Sequence, residues 1–247
     1  MKRLHIIACH VLWRELCYFA AQAPTVCTFQ FLPQGLHNTP QLLRQQLQSA
    51  IDQFDPTSSP CDAIILGYGL CCNGLEGITA RNVPLVAVRA HDCITFLLGS
   101  KERYRAYFDA HPGTYWFSPG WIETATMPGP DRVAQLLADY TAKYGPDNAR
   151  YLVELEYAWM KQYSHATYVD LGIGNADQYR AYTRQCAQSL GWHYHELPGD
   201  PSLIQRLLAG HWHPSDFLLV HPGQSILPSH DDAILRTRTT SLSTPLA

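Results

Sequence analysis

Three cysteines each follow an apolar run: Cys9 after Leu4-His5-Ile6-Ile7-Ala8, Cys71 after Ala63-Ile64-Ile65-Leu66-Gly67-Tyr68-Gly69-Leu70, and Cys93 shortly after Leu85-Val86-Ala87-Val88-Arg89. Thiolates are soft ligands that favour zinc and iron–sulfur clusters over magnesium or calcium. Three of them with one open position suit a catalytic zinc whose fourth ligand is water or substrate. They equally suit a [4Fe–4S] cluster with one iron left for substrate, and the sequence does not separate the two. The expected metal ligands are therefore Cys9, Cys71 and Cys93. Cys71 is preferred to Cys72 because adjacent cysteines fit one tetrahedron poorly and Cys72 opens the following turn. There is no Cys-x-x-Cys pair, so the usual structural zinc knuckle has no support.

Polar side chains crowd the same junctions. His10 and Glu15 follow Cys9, and His91 and Asp92 precede Cys93; these four are the acid–base candidates. Asp92 also suits a helix cap. Cys9, at a strand end before a helix, is expected to have a lowered thiol pKa. Arg89 and Arg103 are candidate anion clamps, and His37, Ser100 and Tyr104 complete the substrate-binding set. His211, His213 and His221 are weaker metal candidates in a loop. Cys71-Cys72-Asn73-Gly74 is no phosphate loop: no Gly-Lys-Ser/Thr follows, and Asn73 occupies the third-glycine slot of the dinucleotide fingerprint. Two other readings compete with a metal centre. One is a metal-free enzyme with Cys93 or Cys9 as nucleophile; the other is a fold whose cysteines merely pack. Cys17, Cys27, Cys61 and Cys186, without clustered polar neighbours, read as structural.

The elements that must position these residues alternate between strand and helix. Strands are expected at 4–8, 25–32, 63–70, 85–89, 114–117, 167–171, 193–197 and 217–220, and helices at 11–22, 41–54, 94–110, 177–189 and 201–209. A largely helical stretch spans 131–163, interrupted at Gly145-Pro146. Such alternation implies an α/β fold with a mainly parallel, Rossmann-like sheet, as two lobes with a cleft or as one large sheet. In open sheets of this kind ligands bind at the carboxyl ends of the strands, where the three cysteines stand. The expected division is an N-terminal α/β lobe over 1–125 carrying the site, a helical connection over 126–165, a C-terminal α/β segment over 166–228 and a disordered tail over 229–247.

Composition narrows the function classes. The chain has 247 residues, 46% of them hydrophobic, and a formal net charge of −3, enough apolar material for a sizeable core and no basic stripe for nucleic acid. No apolar run approaches the roughly 20 residues of a membrane span, and the first residues lack a cleavage site. Eight cysteines without a secretory leader read as cytoplasmic metal or thiol chemistry rather than disulfides.

Several motifs together resemble the family called domain of unknown function 1638, over about residues 4–223. They are Ile6-Ile7-Ala8-Cys9 with Arg14-Glu15, Gly35-Leu36-His37-Asn38 with Pro40, and Gly67-Tyr68-Gly69-Leu70-Cys71 with Asn73-Gly74. The most specific is His91-Asp92-Cys93-Ile94-Thr95 through Leu98-Gly99-Ser100 to Arg103-Tyr104. Pro112-Gly113-Thr114-Tyr115, Pro119-Gly120-Trp121-Ile122-Glu123, Phe217-Leu218 and Pro222-Gly223 also fit. The family pattern has glycine where this chain has Cys72. Its members resemble accessory proteins found beside corrinoid methyltransferases. The resemblance thus implies one-carbon or metal-cofactor metabolism, with a methyltransferase as partner. The expected function is a metal-dependent enzyme acting on a small polar molecule by group (methyl) transfer or lyase chemistry. The alternative is a metal or cofactor carrier serving a partner enzyme.

Overall fold

The computed structural model describes residues 1–239. In chain order the elements are β1 (Arg3–Cys9), a 3-10 turn (His10–Leu12), α1 (Trp13–Ala20), β2 (Val26–Leu32), a second 3-10 turn (Leu36–Asn38), α2 (Pro40–Gln53), β3 (Ala63–Gly67) and β4 (Leu85–Val88). Next come α3 (Ile94–Leu98), α4 (Lys101–Ala110), β5 (Thr114–Phe117), α5 (Pro119–Thr124), α6 (Pro130–Tyr144), α7 (Pro146–Glu156) and a third 3-10 segment (Ala158–Gln162). The chain continues with β6 (His165–Asp170), α8 (Ala176–Leu190), β7 (His193–Pro198), α9 (Ser202–Ala209), β8 (Phe217–Val220), β9 (Gln224–Pro228) and β10 (Leu235–Thr239). The fold is mixed α/β with a mostly parallel central sheet. Among the described residues no helix is long and apolar enough to cross a membrane.

The chain divides into two compact units. The first joins Met1–Tyr104 to the chain from Asp200 onward, and the second is Arg105–Gly199. The division falls after Tyr104 and not at the expected 125, and the expected segment 166–228 is split between the two units. The chain instead returns to the first unit at Asp200, whose backbone N–H donates to the Leu97 carbonyl (2.9 Å).

The first unit is built on a five-stranded sheet in the order β2-β1-β3-β4-β8. Four strands are parallel, and β8 runs antiparallel to β4, pairing Val88 with Phe217. Every residue of β3 and β4 is buried, as apolar runs must be when both sheet faces are covered. The edge strand β2 alternates between exposed and half-buried residues. The single helix expected over 94–110 is two helices. Gly99 breaks it with φ +80°, and a Cβ there would lie 2.4 Å from Asp200 Cγ.

The expected disordered tail over 229–247 is corrected as far as the structure describes it. β9 and β10 form an antiparallel pair. The turn between them is held by Asp231 Oδ1, which accepts from Ser229 Oγ (2.7 Å) and the Ala233 N–H (2.9 Å). Residues 240–247 lie outside the described residues.

The second unit has three parallel strands in the order β5-β6-β7. One sheet face carries Phe117, Ala166 and Tyr168 into an apolar core with Met127, Tyr179, Cys186 and Ala187. Side chains alternate across a strand, so the opposite face carries Trp116, His165, Thr167, His193 and His195.

Candidate functional site

The three cysteines share one edge of the first unit because their strands are parallel and adjacent. β1 pairs with β3, setting Ala8 opposite Gly67, and β3 pairs with β4, setting Leu66 opposite Ala87. The strands approach closely at that end: a Cβ on Gly67 would stand 2.4 Å from Ala8 Cβ. Beyond the strand ends the loops stay stitched together. Leu70 N–H donates to the Ala90 carbonyl (2.7 Å), and Cys71 N–H to the His91 carbonyl (2.9 Å). A Cβ on Gly69 would lie 2.7 Å from Asp92 Cα, so only glycine permits this approach. The sulfurs meet as a result: Cys93 hydrogen-bonds with Cys71 and with Cys9.

Cys71, Cys72 and Asn73 have φ of 45°, 55° and 66°, three consecutive non-glycine residues in the left-handed region. Each such residue costs on the order of 1–2 kcal/mol, and strain of this kind gathers at functional sites. The turn closes with Gly74 N–H donating to the Cys71 carbonyl (3.0 Å), while Arg44 Nη2 donates to the Asn73 carbonyl (3.1 Å).

The electrostatics follow from crowding. The Cys9 thiol is pushed far above its ordinary value by its hydrogen bond with Cys93, by burial and by the neighbouring sulfur charge. The lowered pKa expected from a helix N-terminus is overturned, because Cys9 opens only a 3-10 turn and faces other thiols. Cys93 is likewise raised, first by Cys71 and then by burial, against an opposing contribution from Cys9. Tyr68 is 2% exposed. Burial and the adjacent Cys9, Cys93 and Cys71 charges push its hydroxyl up, and that hydroxyl has no hydrogen-bond partner among the described residues.

Several other expected residues join this edge. Asp92 Oδ1 accepts from Ile94 N–H (2.9 Å). Burial raises the Asp92 carboxyl, against opposition from the Tyr104 hydroxyl and the N–H groups of Ile94 and Thr95. Burial and Asp92 raise the Tyr104 hydroxyl. His37, half-buried, is lowered by burial and partly restored by the Asp92 charge. His91 is exposed and its carbonyl is the one that holds Cys71.

The remaining expected residues do other work. Arg89, expected as an anion clamp, is a strap: its guanidinium donates to the carbonyls of Pro214 (2.8 Å), Ala233 (2.7 Å) and Leu235. Ser100 caps α4, its Oγ accepting from Arg103 N–H (3.1 Å). Arg103 Nη1 donates to the Leu98 carbonyl (3.4 Å). Glu15 is fully buried in α1, and exposed His10 sets its ring 5.8 Å from that of Phe31. His211 and His213 lie in the turn before β8, where His213 Nδ1 meets Ser215 Oγ (3.0 Å). His221, exposed, follows β8, and its N–H donates to Gln224 Oε1 (2.9 Å). Sequence reasoning quoted Tyr68 without giving it a role; the available signal was an aromatic hydroxyl inside a glycine-flanked strand end.

The donor set fits a thiophilic ion in its chemistry: three sulfurs linked through Cys93, beside a buried hydroxyl that lacks a partner. Among the described residues, however, no three or more His, Cys, Asp and Glu side chains converge to hold a metal ion. The sulfur contacts run pairwise through Cys93. A cavity of about 610 Å³ lies elsewhere, in the second unit, lined by Ile122, Glu123, Gln178, Tyr179 and Tyr182 among others. None of the three thiols borders it.

A family model described as "protein of unknown function (DUF1638)" matches residues 31–208. The matched stretch includes Cys71 and Cys93 and begins after Cys9. No curated protein and no solved structure matches the chain.

Proposed function

Since the chain belongs to the DUF1638 family, whose description assigns no activity, we propose a function from the site alone: a metal-dependent enzyme acting on a small polar molecule. Cys9, Cys71 and Cys93 would hold zinc or a [4Fe–4S] cluster at the carboxyl edge of a Rossmann-like sheet. The observation that carries this reading is the contact of Cys93 with both other sulfurs beside the partnerless Tyr68 hydroxyl. Neighbouring thiols ionise together only when a cation offsets their mutual repulsion.

When bound, the metal would act as a Lewis acid toward a polar substrate oxygen or a sulfur nucleophile. The chain's own groups would do the rest. Tyr68 would direct a hydrogen bond to the bound molecule. Asp92, held by the Ile94 N–H, and Tyr104 would orient it, with His37 at the margin. His91, His10 and Glu15 remain the further acid–base candidates. Group transfer of a methyl type and lyase chemistry both suit this arrangement. The protein would work in the cytoplasm, and a methyltransferase is the partner that the family resemblance implies. A carrier that passes its metal or cofactor to that partner is the second reading, favoured by the partial exposure of Cys93.

Anaerobic purification followed by metal analysis and absorption spectroscopy tests the proposal. Iron and sulfide with a broad band at about 400 nm identify a cluster, and a colourless protein with about one zinc per chain that Cys93→Ser lacks identifies the Lewis-acid centre. Cys93→Ser is expected to lose the cluster or the thiolate-bound zinc, with the fold retained by circular dichroism. Wild-type protein that, after anaerobic reconstitution with zinc or with iron and sulfide, holds no more metal than Cys93→Ser overturns the reading.

A further inference from the structure

The second unit gathers four histidines on the sheet face opposite its apolar core. Two come from β7, His193 and His195; one from β6, His165; and one, His111, follows α4. Strand register explains the convergence: His165 pairs with His193 and Thr167 with His195, so the side chains fall on one face at neighbouring positions. Tyr107 on α4 ties the helix to that face, its hydroxyl meeting Thr167 Oγ1 (3.0 Å) and His195 Nδ1 (2.9 Å).

Three of these rings form a triangle. Their centroids are 5.2 Å apart for His111 and His195, 5.9 Å for His111 and His165, and 4.8 Å for His165 and His195. His193 stands 5.3 Å from His165. Two imidazoles sharing one ion at metal–nitrogen distances of about 2.0–2.1 Å have centroids roughly 4.5–5.2 Å apart for octahedral to tetrahedral angles, close to this triangle. Each ring of the triangle also uses Nδ1 internally: His111 Nδ1 donates to the Tyr107 carbonyl (3.3 Å), His165 Nδ1 meets Ser164 Oγ (2.9 Å) and His195 Nδ1 meets the Tyr107 hydroxyl. A carbonyl only accepts, so His111 carries its proton on Nδ1 and presents Nε2 as a lone pair. That division of labour between the two nitrogens is the one found in metal-ligating histidines. His111, His165 and His195 are half-buried and His193 is exposed, so an ion can reach them.

We propose that His111, His165 and His195 form a site for a divalent transition-metal ion of the zinc, copper or nickel class, with His193 as a further ligand. An all-imidazole donor set suits these borderline ions and separates the site from the thiols, which belong to the other unit. Among the described residues no three or more His, Cys, Asp and Glu side chains are placed to hold a metal ion; binding requires the three Nε2 atoms to draw together by small side-chain shifts that keep the Nδ1 bonds.

The test uses the full chain and zinc alone. Equilibrium dialysis with metal analysis is run on wild type, on a Cys9→Ser/Cys93→Ser variant, and on a His165→Asn/His195→Asn variant. The cysteine variant is expected to retain one zinc that the histidine variant binds about a hundredfold more weakly. Copper(II) bound to the cysteine variant is expected to show coupling to several imidazole nitrogens by pulsed electron paramagnetic resonance, a readout that needs no folded histidine variant. Equal zinc binding by the histidine and wild-type proteins, no zinc on the cysteine variant, or a copper signal without imidazole coupling overturns the proposal.

Discussion

Cys72 carries a side chain into the left-handed region of the backbone. Its side chain is exposed, its neighbour Cys71 makes the sulfur contact with Cys93, and its φ is 55°. A Cβ in this region costs on the order of 1–2 kcal/mol, of which glycine gives part back through its greater freedom in the unfolded chain. Cys72→Gly is therefore expected to stabilise the protein by about 0.5–1 kcal/mol, read as a higher urea midpoint, with metal content unchanged. A lower midpoint would mean that the exposed thiol makes a contact that outweighs its strain. The position of the thiols was legible because each ends an apolar run. The turn there was legible too, but not that Cys71 and Cys72 take the left-handed region, because cysteine has no preference for positive φ. The histidine face was legible only in part: His193-Tyr194-His195 alternates as a strand should, but its partners His111 and His165 lie far away in sequence and only register unites them.

At the level of elements, most strands and helices could be read from apolar runs and from Pro and Gly punctuation. β5 and β8 fall where expected, and α6 and α7 part at Gly145-Pro146. The C-terminal hairpin was missed because its second strand, Leu-Arg-Thr-Arg-Thr, has one apolar residue and so no periodicity to detect. What makes it a strand is tertiary: pairing with β9 and the Arg89 guanidinium bound to carbonyls at Ala233 and Leu235. Arg89→Met keeps the aliphatic stem and removes these bonds. Hydrogen bonds to a charged group are each worth about 1.5–3 kcal/mol, so a loss of about 2–3 kcal/mol is expected, with faster amide exchange across β10. Unchanged exchange there would show that β-pairing alone holds the hairpin.

On the scale of the whole chain, the second unit carries an ion-pair network that acid weakens. In the second, Arg180 bridges Glu196 (2.7 Å), Asp177 (3.0 Å) and Asp170, joining α8 to β6 and β7. Burial works against ionising Glu196, but the Arg180 guanidinium and the Tyr194 hydroxyl outweigh it and hold the carboxyl below its ordinary value. A depressed folded pKa contributes stability above the unfolded value, about 4.3, and loses it as pH falls from there through the folded pKa. Arg180→Gln is expected to lower the urea midpoint at neutral pH, and the gap to wild type should narrow below about pH 4.3. A gap independent of pH would assign Arg180 a packing role alone. The two-unit division was only half legible. Alternation announced α/β structure throughout, but nothing in the local pattern says that β8 leaves its sequence neighbours to pair with β4. That pairing has a consequence for biosynthesis. As the nascent chain leaves the ribosome, β4 emerges long before Phe217–Val220 does, so its edge stays open while all of Arg105–Gly199 is translated. The later-made unit is contiguous and can mature first, whereas the thiol-bearing sheet is sealed only after that unit has been made.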